Sequence, residues 1–412
     1  MKSLKLAINL FLVLLLVWFL VAHQQKIKTA VASRDSIQYW ATGKLLLHRH
    51  NPYSVADVEG LESSAGWASK RPLMFRCPPW ALWLVILPGL LSAYWAWVVW
   101  LAILFVSLVI ANRISWRMYG DGGQPPLAFV IAGYAFAPVA ACLVAGQLGL
   151  LLLLGIMVFL AYEKDQPFLA GAALIAPMAK PHMFALFWPV LALWALRQRK
   201  WTLLSGVASA FALASALAFA FDPSVIGDYR AMLLQQAIQN EFIPSLSGMV
   251  RALVFHIAIP GTLDRSLFLH RFFWVQFVPL ALGMAWTAWY YWKNRDLWSW
   301  RTHGVAVLVV AVLTTPYAWM TDEVVLLPAI LQGVLWLQRA KLKLGSHLAI
   351  LLFVGLDLLL LLIVKAQVPP STGIYFWSSL VWFSWYWYTR SFRQKERESI
   401  VPQESSAMQV GS

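Results

Sequence analysis

The sequence predicts an all-α, polytopic membrane protein with about twelve transmembrane helices. Of its 412 residues, 60% are hydrophobic and only 12% are charged, whereas soluble domains carry about 25% charged residues. The apolar residues suffice for roughly twelve spans of about 20 residues each. These runs are continuous and do not alternate with polar residues, which argues against a transmembrane β-barrel.

The charge balance is typical of a membrane protein and does not require a nucleic-acid partner. The formal net charge is +14, from 32 Lys and Arg against 18 Asp and Glu. In membrane proteins such an excess collects in cytoplasmic loops and beside anionic headgroups. We therefore expect the lipid bilayer, and no nucleic acid, as a partner. The two cysteines, Cys77 and Cys142, form neither a disulfide framework nor a metal cluster.

The chain opens with an apolar run over 4–22 that follows Lys2 and Lys5. It is too long for a signal peptide and no clear cleavage site follows, so it predicts an uncleaved first helix with a cytoplasmic N-terminus. Two polar stretches, 23–75 and 222–270, interrupt the apolar pattern, and the tail over 391–412 is expected to be cytoplasmic and disordered. The other apolar segments are 77–90, 92–112, 126–144, 147–162, 168–180, 181–196, 201–221, 271–292, 303–315, 322–338, 346–364 and 372–389.

The basic loops predict the orientation in the membrane, because cytoplasmic loops are enriched in Lys and Arg. The stretches 23–75, 222–270 and 316–322 then face the extracytoplasmic side. If both termini are cytoplasmic, the number of spans is even. The sequence contains thirteen apolar segments, so one of them does not span the membrane. We expect this to be the proline-interrupted segment 77–90, with the kinked region 168–196 as the alternative. The basic clusters are Arg113/Arg117, Arg197/Arg199/Lys200, Lys293/Arg295/Arg301, Arg339/Lys341/Lys343 and Arg390/Arg393/Lys395/Arg397.

Among the acidic residues on the extracytoplasmic side, Asp35 stands out by its context. It lies about a dozen residues after the first helix, and helical spacing places Asp35, Gln38 or Tyr39, and Thr42 on one face. A carboxylate beside apolar walls has the raised pKa that suits a general base. The alternative is that Asp35 caps a juxtamembrane helix or pairs with Arg34, and the residues alone leave both interpretations open.

Four further sites also have two interpretations. Lys180, at a break in an apolar run, either faces a phosphate or extends to the interface. Asp322 either caps a helix or contributes to a site. Asp357 is more typical of an interhelical hydrogen bond than of catalysis. Most tryptophans indicate interfacial anchors, although Trp40 or Trp319 could stack on a sugar ring.

The order of five motifs resembles glycosyltransferase family 87, whose members are polyprenol-phosphate-mannose-dependent mannosyltransferases and their relatives with a GT-C fold. The resemblance covers roughly residues 1–340, and its specificity lies in the order and spacing of the motifs. The motifs are RDSIQYWATGKLLLHRHNPYS, FRCPPWALWLVILPGLL, AGQLGLLLLLG, LAGAALIAPMAKPHMFALFWPVLALWALRQRKW and TTPYAWMTDEVVLLPAIL.

The resemblance implies a GT-C catalytic domain over 1–390, with short extracytoplasmic juxtamembrane helices and Asp35 as the catalytic base. It implies no cofactor and no metal. Lys180, together with Arg76 and His182, would contact the donor phosphate. The substrate-binding residues would be Tyr39, Trp40, Tyr53, Gln147, Trp319 and Asp322.

The expected activity is transfer of a hexose, mannose by resemblance, from a polyprenyl-phosphate donor to a glycolipid or polysaccharide acceptor. A single displacement inverts the anomeric carbon. The expected location is the inner (plasma) membrane, with the active site on the extracytoplasmic face. Two other functions remain open from the residues: a flippase or transporter of lipid-linked sugars, and a non-catalytic membrane subunit of an envelope-glycan assembly.

Overall fold

The computed structural model describes residues 22, 34–69, 71–235, 243–258, 273–340, 344–366 and 376–392. Over these residues the protein is all-helical and contains no β-strand, so the predicted fold class is confirmed at this level. The predicted first helix over 4–22, apart from residue 22, and the tail beyond residue 392 lie outside the described residues.

The chain forms two compact units, Met1–Ile103 with Ala214–Gln236, and Leu104–Leu213 with Ala237–Ser412. The α-helices of the described residues are Ile37–Leu47, Val55–Ser64, Trp83–Leu90, Ala93–Tyr119, Leu127–Ala135, Ala137–Ala145, Gly149–Tyr162, Pro167–Ala173, Phe187–Arg197, Trp201–Phe221, Val225–Gln235, Leu246–Ala258, Phe277–Asn294, Val305–Thr314, Leu327–Arg339 and Leu344–Lys365, followed by helical residues 378–392. Single 3₁₀ turns connect several of them, and a π-helical turn spans Trp300–Gly304.

Five stretches of the described chain are long and apolar enough to cross a membrane, in agreement with five of the predicted segments. Many of their large apolar side chains are exposed, for example Leu213 at 73% and Leu351 at 69%. An apolar surface of this extent is typical of a lipid-facing protein. The chain is a multi-pass membrane protein, and the total of about twelve spans stays a prediction. The five are Ala93–Tyr119, Leu127–Ala145, Trp201–Phe221, Met320–Arg339 and Gly345–Lys365.

Prolines divide several of the predicted segments into shorter pieces. Segment 77–90 contains one 3₁₀ turn and the short helix Trp83–Leu90. Region 168–196 consists of two α-helices separated by the turns Pro177–Ala179 and Pro181–Phe184. Segment 126–144 contains two helices that meet at Phe136, because Pro138 occupies the first turn of the second helix and cannot donate to the preceding turn.

The first unit is built around the helix Ile37–Leu47, which packs against Trp83–Leu90 and Val55–Ser64. Gly43 and Gly89 allow this contact, since a methyl group on Gly43 would lie 2.8 Å from Cα of Gly89. The indole Nε1 of Trp40 donates to the carbonyl of Leu91 at 3.1 Å. The helix that follows Asp35 is therefore fixed at close range to its neighbour.

The second unit is built around the buried span Met320–Arg339, which carries acidic side chains inside the protein. Glu323 is fully buried, and its Oε1 accepts a hydrogen bond from the hydroxyl of Ser378 at 2.6 Å. Asp357 accepts from the backbone N–H of Ala137 at 2.7 Å. This contact confirms the prediction that Asp357 makes an interhelical hydrogen bond.

Candidate active site

Asp35 lies in the turn immediately before the helix Ile37–Leu47. The N-cap position belongs to Ser36, whose side chain makes no capping hydrogen bond. The carbonyl of Asp35 accepts from the backbone N–H of Gln38 at 3.3 Å and from its side-chain Nε2 at 2.9 Å. The residue is half-buried. The backbone around the predicted base is thus held by Gln38, one of the residues expected on the same helical face.

A second carboxyl group, Glu62, lies in the same unit and was not singled out from the sequence. Its side chain is fully buried, its Oε2 accepts from the backbone N–H of Leu73 at 2.9 Å, and its Oε1 has no hydrogen-bond partner among the described residues. Burial raises the pKa of Glu62 to about 7, the Leu73 hydrogen bond opposes the rise, and the negative charge of Asp35 adds to it. The two carboxyl groups therefore interact electrostatically.

The spacing of Glu62 could have identified it. Val58 and Glu62 are four residues apart, and both are buried within the helix Val55–Ser64. Positions i and i+4 share one helical face. An acid on the apolar face of an amphipathic helix is the unusual residue in that pattern, and it indicates either a paired or a protonated carboxyl group.

The aromatic residues predicted to bind substrate in this unit are packed rather than exposed. Tyr39 is 1% exposed, with its ring 4.7 Å from that of Trp100 and 5.9 Å from that of Phe75. Trp40 is 8% exposed and bonded to Leu91. These contacts fix the two side chains at the start of the helix after Asp35.

Tyr53, Arg76 and Tyr229 form a neighbouring cluster in the first unit. The hydroxyl of Tyr53 donates to the carbonyl of Cys77 at 3.0 Å, and the rings of Tyr53 and Tyr229 are 5.2 Å apart. The hydroxyl of Tyr229 donates to the carbonyl of Arg76 at 3.3 Å. The two tyrosines thus hold the chain at Arg76 and Cys77, immediately before the two prolines of the predicted motif. Tyr229 was missed, because nothing in the sequence pattern links it to Arg76.

In the second unit, Lys180 lies at a break between two 3₁₀ turns. Pro181 disfavours the α conformation of the residue before it, and Lys180 has φ −129° and ψ 67°. Its ammonium lies 2.6 Å from Oδ1 of Asp322, with 11% of the lysine side chain and none of the aspartate side chain exposed. The proline thus places a cation at the end of a short turn, where a buried carboxylate holds it.

Asp322 has a second role that matches the alternative interpretation from the sequence. Its Oδ2 accepts from the backbone N–H of Trp319 at 3.1 Å, so it closes the first turn of the helical segment Met320–Leu326. The indole N–H of Trp319 in turn donates to the hydroxyl of Tyr317. One carboxylate therefore joins Lys180 to the start of the buried span.

His182 and Gln147 complete the predicted residues in the second unit. The carbonyl of His182 accepts from the hydroxyl of Thr315 at 3.3 Å, its ring lies 5.8 Å from that of Tyr317, and its Nε2 has no hydrogen-bond partner among the described residues. Gln147 follows Gly146, whose positive φ of 71° ends the helix Ala137–Ala145. The structure thus brings Lys180 and Asp322 into contact, with His182 next to Lys180 in the chain.

Comparisons with known proteins agree with the resemblance described above. The model of glycosyltransferase family 87 matches residues 75–316, which is more than half of the chain. Searches of curated proteins and of solved structures return no significant match. The matched range includes Arg76, Gln147, Lys180 and His182.

Proposed function

The chain belongs to glycosyltransferase family 87, a family of membrane glycosyltransferases, and on that premise we propose a specific reaction for it. The protein transfers a hexose, namely mannose, from a polyprenyl-phosphate donor to a glycolipid or polysaccharide acceptor. The reaction takes place on the extracytoplasmic face of the inner membrane, in a GT-C domain that extends over residues 1–390. The observation that supports it best, beyond the family, is the buried ammonium of Lys180 at a helix break.

The proposed chemistry is a single displacement at the anomeric carbon. The acceptor hydroxyl oxygen forms a bond to this carbon and passes its proton to the carboxylate of Asp35. The bond between the anomeric carbon and the phosphate oxygen breaks, and the polyprenyl phosphate leaves with the electron pair. Because the attacking and leaving oxygens lie on opposite sides of the carbon, the product has the inverted configuration.

Asp35 suits the role of base because it is a half-buried carboxylate in a turn whose backbone is held by Gln38. A positioned general base contributes about 10² to 10⁴ in rate. Asp35 also interacts electrostatically with the buried carboxyl group of Glu62 in the same unit.

Lys180 suits the role of the cation that stabilises the leaving phosphate. An ammonium carries three N–H donors, so it can hold Asp322 and a phosphate oxygen at the same time. A fixed cation in a largely dehydrated position stabilises developing negative charge more strongly than one in water. Asp322 then acts as a positioning residue for Lys180. Arg76 and His182 are proposed as further phosphate contacts, and Tyr39, Trp40, Tyr53, Gln147 and Trp319 as substrate contacts.

The test uses the purified full-length protein, a synthetic short-chain polyprenyl-phosphate mannose and extracted membrane glycolipids, with mass spectrometry of both products. We expect release of polyprenyl phosphate together with mannosylated glycolipid. Asp35→Asn should lower turnover by about 10² to 10⁴ with unchanged folding. Asp57→Asn, at an exposed acid of the neighbouring helix, should retain activity.

Two results would overturn parts of this proposal separately. Wild-type-like turnover by Asp35→Asn would remove the assigned base. If the enzyme consumed no polyprenyl-phosphate sugar but glycosylated lipids from a nucleotide sugar, the donor class would be wrong. For Lys180, Lys180→Ala should raise the Kd of the donor about tenfold or more, and unchanged donor binding would exclude its phosphate role.

A further inference from the structure

The second unit contains a groove between two consecutive membrane helices, far along the chain from the proposed catalytic residues. The C-terminal half of Ala93–Tyr119 lies beside Leu127–Ala135. The side-chain Nδ2 of Asn112 donates to the carbonyl of Gly133 at 2.9 Å, and the rings of Trp116 and Phe129 meet edge to face at 5.2 Å. These contacts fix the register of the two helices. A cavity of about 370 Å³ opens alongside them, within the size range of small-molecule sites.

The polar end of this groove carries two arginines. Arg113 and Arg117 are four residues apart, so they share one face of the helix. Both line the cavity, both are exposed, and neither forms an ion pair with any described residue. The cavity lining includes no acidic side chain. Among the described residues, the groove therefore carries two positive charges that no acidic side chain of its lining neutralises.

The same helical face becomes apolar toward the middle of the span. Val106 and Ile110 precede Arg113 and Arg117 at spacings of three and four residues, and they are 53% and 38% exposed. Across the groove, Val130 and Tyr134 are 36% and 40% exposed. This helical face is thus amphiphilic along the helix axis. Its cationic side chains lie at the end of the span, and its apolar side chains lie closer to the middle of the span.

We propose that this groove binds an anionic phospholipid of the surrounding bilayer. The headgroup phosphate contacts the guanidinium groups of Arg113 and Arg117, whose planar donor sets match two phosphate oxygens. An acyl chain lies on Val106 and Ile110. Basic pockets between membrane helices are typical sites for anionic lipid headgroups, and an indole such as that of Trp116 is typical of the interface at that depth. Charge complementarity favours an anionic lipid over a zwitterionic one.

This site lies at the end of the span predicted to be cytoplasmic, and it does not depend on the proposed reaction. Basic residues at that end are expected from orientation alone. The groove adds what orientation does not require, namely two arginines on one face, a cavity next to them, and an apolar strip in line with them. A basic loop without a groove would attract several anionic lipids, and lipid binding would not saturate at one molecule. This groove accommodates a single lipid molecule.

The experiment is native mass spectrometry of the detergent-solubilised full-length protein, titrated with dioleoyl phosphatidylglycerol or dioleoyl phosphatidylcholine. We expect the first phosphatidylglycerol adduct to form at a concentration about tenfold or more below that of phosphatidylcholine. The double variant R113Q/R117Q should weaken phosphatidylglycerol binding about ten- to thirtyfold, the effect of two juxtamembrane charges. The variant R113K/R117K keeps both charges and should keep the preference for the anionic lipid, with lower affinity.

The matched control is K164Q/R199Q, which removes the same net charge at two exposed residues outside the groove and should bind like the wild type. Val130→Trp keeps both arginines but fills the apolar wall, and it should weaken the binding of both lipids. Equal affinity for the two lipids, wild-type binding by R113Q/R117Q, or an equal loss in K164Q/R199Q would overturn the proposal. The proposal would also be overturned if a polyprenyl phosphate, but not phosphatidylglycerol, displaced the lipid bound in this groove.

Discussion

The Nζ atom of Lys180 lies 2.6 Å from Oδ1 of Asp322, although the two residues are 142 positions apart in the chain. The aspartate side chain is fully buried and the lysine side chain is 11% exposed. Both groups have therefore lost most of their hydration. A charge in such a position is stable while its partner is present and costly once the partner is removed.

This pair predicts strong coupling between two substitutions. Asp322→Asn leaves a buried ammonium without its carboxylate and should lower the free energy of unfolding by about 3 kcal/mol. Lys180→Met leaves the buried carboxylate and should have an effect of similar size. The double variant K180M/D322N removes both charges, and its asparagine still offers an acceptor to the N–H of Trp319. It should be more stable than either single variant.

A double-mutant cycle measures this coupling by thermal or denaturant unfolding in detergent, followed by tryptophan fluorescence. Additive losses in the two single variants would contradict the prediction. The same variants distinguish an effect on stability from an effect on activity. If Lys180 binds the donor phosphate, K180M/D322N should be folded but should have lost donor affinity.

Glu62 predicts a pH dependence of stability. Its pKa is raised from 4.5 to about 7 in the folded protein, so the folded state holds more protons than the unfolded state between these two values. The free energy of unfolding should therefore fall as the pH rises from about 4.5 through 7, by roughly 3 kcal/mol for this group. Glu62→Gln should remove this slope and be more stable than the wild type at pH 8.

Unfolding temperatures measured at pH 5, 6, 7 and 8 test this prediction. Asp57→Asn, at an exposed acid of the same helix, should keep the slope of the wild type. A Glu62→Gln variant that follows the wild-type curve at every pH would show that the carboxyl group does not change its proton occupancy on folding.

Tyr53→Phe tests whether the tyrosine hydroxyl serves the fold or the substrate. The hydroxyl donates to the buried carbonyl of Cys77 at 3.0 Å, so its removal should lower the free energy of unfolding by about 1 kcal/mol. Tyr229→Phe removes the longer, 3.3 Å hydrogen bond to Arg76 and should cost less. Unchanged stability together with a raised KM would assign the Tyr53 hydroxyl to the substrate instead.

Asp357→Ala removes the acceptor for the backbone N–H of Ala137. A buried N–H without a partner costs about 1–3 kcal/mol, so this variant should unfold more readily, while Asp357→Asn keeps an acceptor and should lose less. Turnover per folded molecule should match the wild type in both. A loss of turnover in a stable Asp357→Asn protein would contradict a purely structural role.

Continuous apolar runs made the membrane class and five of the spans predictable from the sequence. The break at Phe136 was not predicted, because the apolar pattern runs continuously through it and Pro138 was compatible with a kink inside one helix. Lys180 was recognised as an unusual cation at a break. Its partner could not be identified, because no periodicity links residues 142 positions apart.

The acidic residues show the same limit of prediction from the sequence. Asp35 was recognised by its position after the first helix and by the family motif around it. Glu62 was passed over among the extracytoplasmic acids, because its burial depends on packing against other elements. Its four-residue spacing from Val58 was a usable local signal. Residues that act through long-range contacts, such as Tyr229 on Arg76, left no comparable signal in the pattern.

The glycine pair at positions 43 and 89 sets how much the region around Asp35 can tolerate change. At this crossing the backbone of one helix contacts the backbone of the other, so no side chain can move aside. Even an alanine at Gly43 therefore has to push the two helices apart. The helical turns between Gly43 and Asp35 would transmit this shift to Asp35, just before the start of the helix. Variation near the proposed base is therefore limited by a clearance at Gly43, within the short helix that follows it.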